Sequence, residues 1–228
     1  MGALLFDFFG TLVEFEAGRT ADQVRRAHRL ASEGGYGGSI EEFHAQWDLG
    51  FVELEAESRR TLVEFPMVRV AERFLAANPT IAGVDPTTLG ATYVQEWSEH
   101  VLPIDGLEPM LRRLADEWQI AVVSNTHDAD MVPRLLGEMG IADLVAVTVL
   151  SVDHGRTKPH SSIYESTLER LGLAAPDCVF VGDSLGPDYE GPIGLGMDAL
   201  LIDPQRRHAV PETVRIDSVL QVEERLAV

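Results

Sequence analysis

Apolar and polar positions along this 228-residue chain follow two rhythms, and the change between them outlines the architecture. Ala3-Leu4-Leu5-Phe6 is an unbroken apolar run that ends in Asp7, and Gly10-Thr11 then turns the chain. A short apolar run closed by a turn signal predicts a strand buried on both faces of a parallel sheet. An acid at the carboxyl end of such a strand stands where open α/β sheets place their ligands. A strand that simply ends in an acidic turn-former reads the same way. From about Glu14 to Val101 the period is helical. Ile40, Phe43, Trp47, Phe51 and Leu54 recur at three and four residues, as do Met67, Val70, Phe74 and Leu75. Thr20 with Gln23, and Ser39 with Glu42, have capping-box spacing. Asp85-Pro86 reads as an N-cap followed by proline at the first helical position, opening a helix through Trp97. The aromatic positions of this segment read as core, and Gly34-Gly35-Tyr36-Gly37-Gly38 as a flexible joint between two helices.

Beyond Leu102 strands and helices alternate. Leu107, Met110, Leu111, Leu114 and Trp118 form a helical stripe before the strand Ile120–Val123. Helices near 129–139 and 161–171 precede strands at 144–150 and 178–181, and a short helix precedes a strand at 199–202. This order predicts an α/β fold, a doubly wound parallel sheet of Rossmann-like type. The all-helical segment, residues 15–101, is then an insertion into a core made of residues 1–14 and 102–228.

Composition narrows the functional classes. The chain carries 18 Lys+Arg against 37 Asp+Glu, a net charge of −19. Such a field argues against nucleic acid or an anionic membrane as partner. A small anionic substrate stays compatible only where a metal or a focused basic group overrides the field. No apolar run approaches the ~20 residues of a membrane span. The chain enters its first strand with no basic leader, and Phe6 stands where a myristoylation signal would want Ser or Thr. Cys178 is the single cysteine, set in the apolar run Cys178-Val179-Phe180-Val181. It fits a buried structural thiol in a reducing compartment, so a cytoplasmic location is expected. Lys158 is the only lysine among the 18 basic residues. A bias toward arginine explains the other positions but not the one that resisted it. A compact ammonium does work that a planar guanidinium does badly, which makes Lys158 a site candidate.

Polar residues follow directly on the predicted core elements. Ser124-Asn125-Thr126 follows the strand ending at Val123, Lys158-Pro159 precedes the helix starting near Ser161, and Gly182-Asp183-Ser184 ends the strand from Cys178, with Asp188 beyond. In a parallel sheet these positions share one edge with Asp7. Strand-to-helix turns are naturally rich in Ser, Asn, Asp and Gly, so each alone is weak. In chain order, with the sole lysine among them, they point to one ligand-binding edge.

On these residues the chain resembles the haloacid dehalogenase superfamily of aspartate-nucleophile hydrolases. The correspondence runs through Asp7-Phe8-Phe9-Gly10-Thr11, Ser124-Asn125, Lys158-Pro159, and Gly182-Asp183-Ser184 to Asp188. It spans the chain, with the helical insertion matching the family's cap. The resemblance implies that Asp7 attacks the substrate and forms an acyl intermediate, while Thr11 supports the nucleophile loop. It implies that Ser124 and the Asn125 amide hold phosphoryl oxygens and that Lys158 neutralises charge. Mg²⁺ would be held by Asp7, Asp183 and the main-chain carbonyl of Phe9, with Asp188 as a further ligand or an outer partner. The cap is expected to close over Asp7 about hinges near Glu14–Ala17 and Val101–Pro103. Charge counting supports the metal independently. Three carboxylates facing a phosphate dianion repel it, one lysine cannot offset them, and a hard divalent cation can.

One position departs from the family's phosphatases, which carry an aspartate acid–base two residues after the nucleophile. Here that residue is Phe9, which has no proton to give. General acid–base help is worth ~10²–10⁴ in rate. Either the leaving group is already acidic or a proton comes from elsewhere, with His127 and Glu16 as positional candidates. A 2-haloacid dehalogenase needs no such proton and carries a tyrosine there. However, those enzymes use no metal and lack the Asp183…Asp188 pair, and the Trp-Arg-x-x-Gln stretch with which their cap orients the substrate is absent here. Phosphonoacetaldehyde hydrolysis needs a cap lysine, and the cap has none. The sequence thus predicts a Mg²⁺-dependent phosphatase acting on a small phosphorylated metabolite. The 2-haloacid dehalogenase stands second, and a weakly active or non-catalytic relative that binds a phospholigand or a protein third. Arg19, Arg25, Arg59 and Arg60 are candidates for an anionic substrate tail, although solvated helix faces account for them too. Nothing in the sequence fixes an oligomeric state.

Overall fold

The computed structural model describes residues 1–15 and 21–226. Thr20 of the first capping box, Glu16, Ala17 and Arg19 lie outside the described residues. The chain divides into two compact units, Met1–Phe15 with Leu102–Val228, and Glu16–Val101.

The second unit contains the helices α1 (Arg25–Glu33), α2 (Ile40–Thr61), α3 (Val68–Ala77) and α4 (Pro86–Ser98). Their ends are where the sequence signals them. Ser39 and Glu42 form a capping box, and Asp85 accepts a hydrogen bond from the Thr88 N–H ahead of α4, with Pro86 in its first turn. α1 lacks a side-chain cap of its own. The buried Glu96 of α4 supplies one, accepting from the Arg26 N–H at 2.9 Å and the Ala27 N–H at 3.2 Å. The core is aromatic. Phe43 stacks on Trp47 and meets Phe74 edge-on, and Trp47 stacks on Tyr93 with centroids 4.4 Å apart. Aromatic pairs in such arrangements add ~0.5–1.5 kcal/mol each beyond area burial.

The first unit holds strands β1 (Ala3–Phe6), β2 (Val13–Glu14), β3 (Leu102–Pro103), β4 (Gln119–Ser124), β5 (Val145–Leu150), β6 (Cys178–Gly182), β7 (Asp198–Ile202) and β8 (Arg215–Ile216). Six of them form one parallel sheet in the order β5-β4-β1-β6-β7-β8. It is flanked by helices α5 (Leu107–Ala115), α6 (Met131–Glu138), α7 (Ser151–His154), α8 (Ser161–Leu171), α9 (Gly191–Gly194) and α10 (Val222–Leu226). Every residue of β1 is buried, as the unbroken apolar run requires. Ala3 and Leu5 share a core cluster with Ala121, Val123, Phe180 and the α8 residues Ile163 and Tyr164. The stripe ending at Trp118 overshoots its helix. α5 stops at Ala115, and the Trp118 N–H still reaches the Leu114 carbonyl at 2.8 Å.

Two short features carry no apolar period and are invisible in the sequence pattern. β2 and β3 form an antiparallel ribbon pairing Val13 with Pro103 and Glu14 with Leu102. Leu185–Glu190 forms a π-helical turn. Among the described residues no helix is long and apolar enough to cross a membrane.

Candidate active site

Sheet register determines which residues meet. Phe6 pairs with Val122 of β4 and Val181 of β6. Asp7 therefore emerges level with the ends of both neighbours, and its N–H still donates to the Val181 carbonyl at 2.9 Å. The chain then closes a tight loop in which the Leu12 and Val13 N–H groups donate to the Phe8 carbonyl at 2.9 and 3.2 Å. Gly10 sits in that loop at φ +78°, a conformation that favours glycine. A side chain there would also run into the Asp183 carboxylate.

Lys158 is positioned from β4. The Asn125 side chain grips its backbone at both ends, donating to the Lys158 carbonyl at 3.1 Å and accepting from the Lys158 N–H at 2.7 Å. Next to it, the Thr126 N–H donates to Ser151 Oγ at 2.9 Å. Lys158 Nζ then donates to Asp7 Oδ1 and to Asp188 Oδ1, each at 2.7 Å, and lies 5.0 Å from the centroid of Phe180. Asp188 rides on the π-helical turn, where its Oδ2 accepts from the Ser184 N–H at 2.9 Å. The Tyr164 hydroxyl of α8 donates to the neighbouring Pro187 carbonyl. Gly182 leaves room for this arrangement, since a Cβ would strike Asp188. Asp183, half-buried, accepts from Ser184 Oγ at 3.1 Å.

The cluster is buried: relative exposure is 7% for Asp7, 4% for Lys158 and 1% for Asp188. Burial pushes the Asp7 carboxyl up, and with Asp188 and Asp183 beside it the result is about 7 despite the opposing pull of Lys158. Asp183 is raised too, by burial and then by Asp188. Burial works against the Lys158 ammonium, but Asp188 and Asp7 outweigh it and hold the lysine above its ordinary value. Burial, then the Asp188 and Asp7 charges, push the Tyr164 phenol well up, so it remains a donor. Fully ionised, three carboxylates against one ammonium leave two uncompensated negative charges.

That imbalance fits a cation. Asp7, Asp183 and Asp188 each present an oxygen within 4.8 Å of the others, an all-oxygen donor set suited to a hard divalent ion. The buried Thr11 Oγ1 has no hydrogen-bond partner among the described residues, which is compatible with a polar group that meets a ligand.

Asp7, Lys158, Asp183 and Asp188 therefore converge. Ser124 is fully buried at the end of β4, and the Asn125 side chain is occupied by the Lys158 backbone. Phe9 is half-buried, its ring edge-on to Phe8 and Phe15 with centroids 5.0 and 5.6 Å away. His127 is half-buried just past Thr126. The sequence reading missed Tyr164, Ser151 and the clamp by Asn125. A tyrosine beside Ile163 on a helix reads as core, and nothing in a linear pattern announces where its hydroxyl will land.

A parallel α/β sheet bearing three carboxylates and one buried ammonium on its carboxyl edge is an arrangement suited to a cation. The family model of haloacid dehalogenase-like hydrolases matches residues 1–196, and the chain belongs to that family. It is a hydrolase whose curated relatives are largely phosphatases. The ribulose-1,5-bisphosphate 5-phosphatase of Halopiger xanaduensis is 25% identical over 92% of this chain and 88% of its own length. The phosphoglycolate phosphatase of Pectobacterium atrosepticum is 29% identical over 79% of this chain and 71% of its own. Among solved structures, the HAD-hydrolase YfnB of Bacillus subtilis, bound to magnesium, superposes with a TM-score of 0.71 at 21% identity, covering 100% of this chain and 99% of that one. A 2-haloacid dehalogenase from Pseudomonas syringae gives 0.68 at 19% identity, covering 100% and 99%, which speaks to the fold alone.

Proposed function

We propose that this protein is a Mg²⁺-dependent phosphatase of a small phosphorylated metabolite, with Asp7 as nucleophile and the helical unit as its cap. The observation that carries this reading is the Lys158 ammonium bridging Asp7 and Asp188 at 2.7 Å inside a cluster of three carboxylates. Lys158 holds Oδ1 of Asp7, so the other oxygen of the same carboxylate attacks phosphorus. The bond from phosphorus to the leaving oxygen breaks, giving an aspartyl phosphate and a departing oxyanion. Water then attacks that phosphorus, its proton passes to solvent, and Asp7 returns as a carboxylate with release of inorganic phosphate. Ser124, Thr11 and the Asn125 main-chain amide bind phosphoryl oxygens, and Lys158 balances their charge. Asp7, Asp183, Asp188 and the Phe9 carbonyl would hold Mg²⁺, which supplies positive charge at the phosphoryl oxygens.

The phosphatase names of the relatives support the reaction class. Phe9 shapes the substrate preference. It cannot protonate the leaving oxygen, so the reading favours substrates whose leaving group departs as an anion unaided. The same residue is what favours the second reading, a 2-haloacid dehalogenase, against which the acidic pair Asp183 and Asp188 stands. The third reading is a relative that binds a phospholigand or a protein without turnover.

The test is a screen of phosphorylated metabolites and aryl phosphates with Mg²⁺ or EDTA, run beside halide release from 2-chloropropionate. Phosphate release abolished by EDTA is the expected result. Halide release indifferent to EDTA, with no phosphate released, would replace the phosphatase with the dehalogenase. Uptake of Mg²⁺ with beryllofluoride and no turnover of either substrate would leave a binding protein.

A further inference from the structure

α2 turns Phe43, Trp47, Leu54 and Ser58 into its own unit, yet its opposite face is not uniformly polar. Leu49 and Val52 stand 63% and 62% exposed, and Ala45 and Ala56 are exposed on the same side. Positions 45, 49, 52 and 56 advance by four, three and four residues, the spacing of a two-helix seam. Isolated exposed leucines need no explanation, whereas a seam with ordered charges at its ends does.

The charges at the two ends of the helix are ordered about its midpoint, with Asp48, Glu53, Glu55 and Glu57 between them. Glu41 and Glu42 lie at the first turn, and Arg59 and Arg60 at the last. Glu41 and Arg59 are 18 residues apart, as are Glu42 and Arg60. At 3.6 residues per turn that separation is about five whole turns, so each pair shares one flank of the seam. Laid antiparallel on a copy of itself, the helix brings Leu49 to Val52 and Ala45 to Ala56. On one flank Glu41 meets Arg59 of the partner subunit, and on the other Glu42 meets Arg60 of the partner subunit, each within about one residue's rise of ~1.5 Å. A parallel pairing would set glutamates on glutamates and arginines on arginines, which is repulsive.

We propose that α2 forms a two-fold, antiparallel helix pair with α2 of a second copy of this chain, giving a homodimer. Such an interface is isologous, so each contact occurs twice. Arg59 already bonds Glu55 of its own helix at 2.9 Å in an exposed pair, and Glu42 caps α2 through Ser39. Both keep their charge on the flank that faces the copy. The net charge of −19 opposes any association of two copies, so pairing depends on this local complementarity. At physiological salt the long-range repulsion is screened over ~8 Å while contacts within the seam are not.

Sedimentation equilibrium of the full chain up to about 100 μM in physiological salt reads the outcome. A concentration-dependent monomer–dimer equilibrium is expected, and Leu49→Lys with Val52→Lys should leave only monomer. Glu41→Arg with Glu42→Arg should weaken the dimer about tenfold or more, because four opposite-charge contacts become repulsive. Adding Arg59→Glu and Arg60→Glu to that variant should restore most of the affinity, which a purely structural defect would not allow. Circular dichroism checks that each surface variant keeps its helix content. A wild-type monomer over the whole range overturns the proposal. So does a dimer indifferent to the Leu49→Lys, Val52→Lys pair, or a charge-swapped fourfold variant that stays as weak as the twofold one.

Discussion

Replacing Lys158 by methionine removes the only positive charge from a cluster that is almost closed to water, at little change in volume. Its ammonium stands 2.7 Å from an oxygen of Asp7 and 2.7 Å from one of Asp188, with side-chain exposures of 2%, 10% and 1% in that order. At an effective dielectric of ~20 each attraction is roughly 6 kcal/mol in gross terms, and desolvation of the charges cancels much of it. What the substitution exposes is the other side of that balance, two buried carboxylates with no counter-charge. Breaking a buried pair in this way costs about 3–5 kcal/mol, a large part of the ~5–15 kcal/mol that holds a typical domain together.

Urea unfolding in EDTA measures the loss directly, with circular dichroism as the probe. Adding Asp7→Asn and Asp188→Asn to Lys158→Met should recover part of the stability, because the neutral amides need no counter-ion. Phosphatase turnover should fall by ~10²–10³ in Lys158→Met, the usual cost of losing a preorganised charge at a reacting anion. A cost under about 1 kcal/mol for Lys158→Met would be the value of an exposed ion pair and would refute the buried triad. A triple variant no more stable than Lys158→Met would refute it equally.

Phe9→Asp should raise turnover of phosphates with poor leaving groups by one to four orders of magnitude, toward the ~10²–10⁴ of acid–base catalysis; no gain in a folded variant would show that Phe9 does not occupy the acid's place. Tyr164→Phe keeps the edge-on contact with Phe180 but strips the Pro187 carbonyl of its donor. It should cost about 1–3 kcal/mol in urea and weaken Mg²⁺ binding measured by calorimetry, and unchanged Mg²⁺ affinity would limit Tyr164 to packing. Gly10→Ala should abolish Mg²⁺ binding while leaving the sheet folded, since its methyl would displace the Asp183 carboxylate. Just past the carboxyl end of β7, burial alone would raise Asp203, but hydrogen bonds from the Arg207 and His208 N–H groups and the charge of Arg215 bring it below its ordinary value. A depressed carboxyl stabilises the native state above its unfolded value of ~3.9 and loses that contribution as pH falls through the folded one. Acid titration of stability should therefore lose part of its low-pH fall in Asp203→Asn, and an identical acid limb would count against this reading.

How much of this was legible in the chain follows from the range of the interactions. β1 was readable because burial on both faces leaves no polar position within it, and α2 because Ser39 and Glu42 announce its start four residues from Phe43. These are local signals. The meeting of Asp7, Lys158 and Asp188 joins residues 151 and 30 positions apart, and what foretold it was composition: a chain that uses arginine everywhere else retained one lysine. A guanidinium spreads its charge over a rigid planar fork, whereas an ammonium is a compact point charge with three rotatable donors. The supports of that triad left no such trace. Asn125 was noticed for its place after a strand, yet its side chain spends both hydrogen-bonding ends on a backbone 33 residues away. Tyr164 carries an aromatic ring that satisfies the helical period, so its hydroxyl added nothing to the pattern while fixing the turn that carries Asp188. Charge at a buried site is scarce enough to show through composition. Neutral hydrogen bonds that aim the charge are chemically ordinary, and only the three-dimensional arrangement distinguishes them from core.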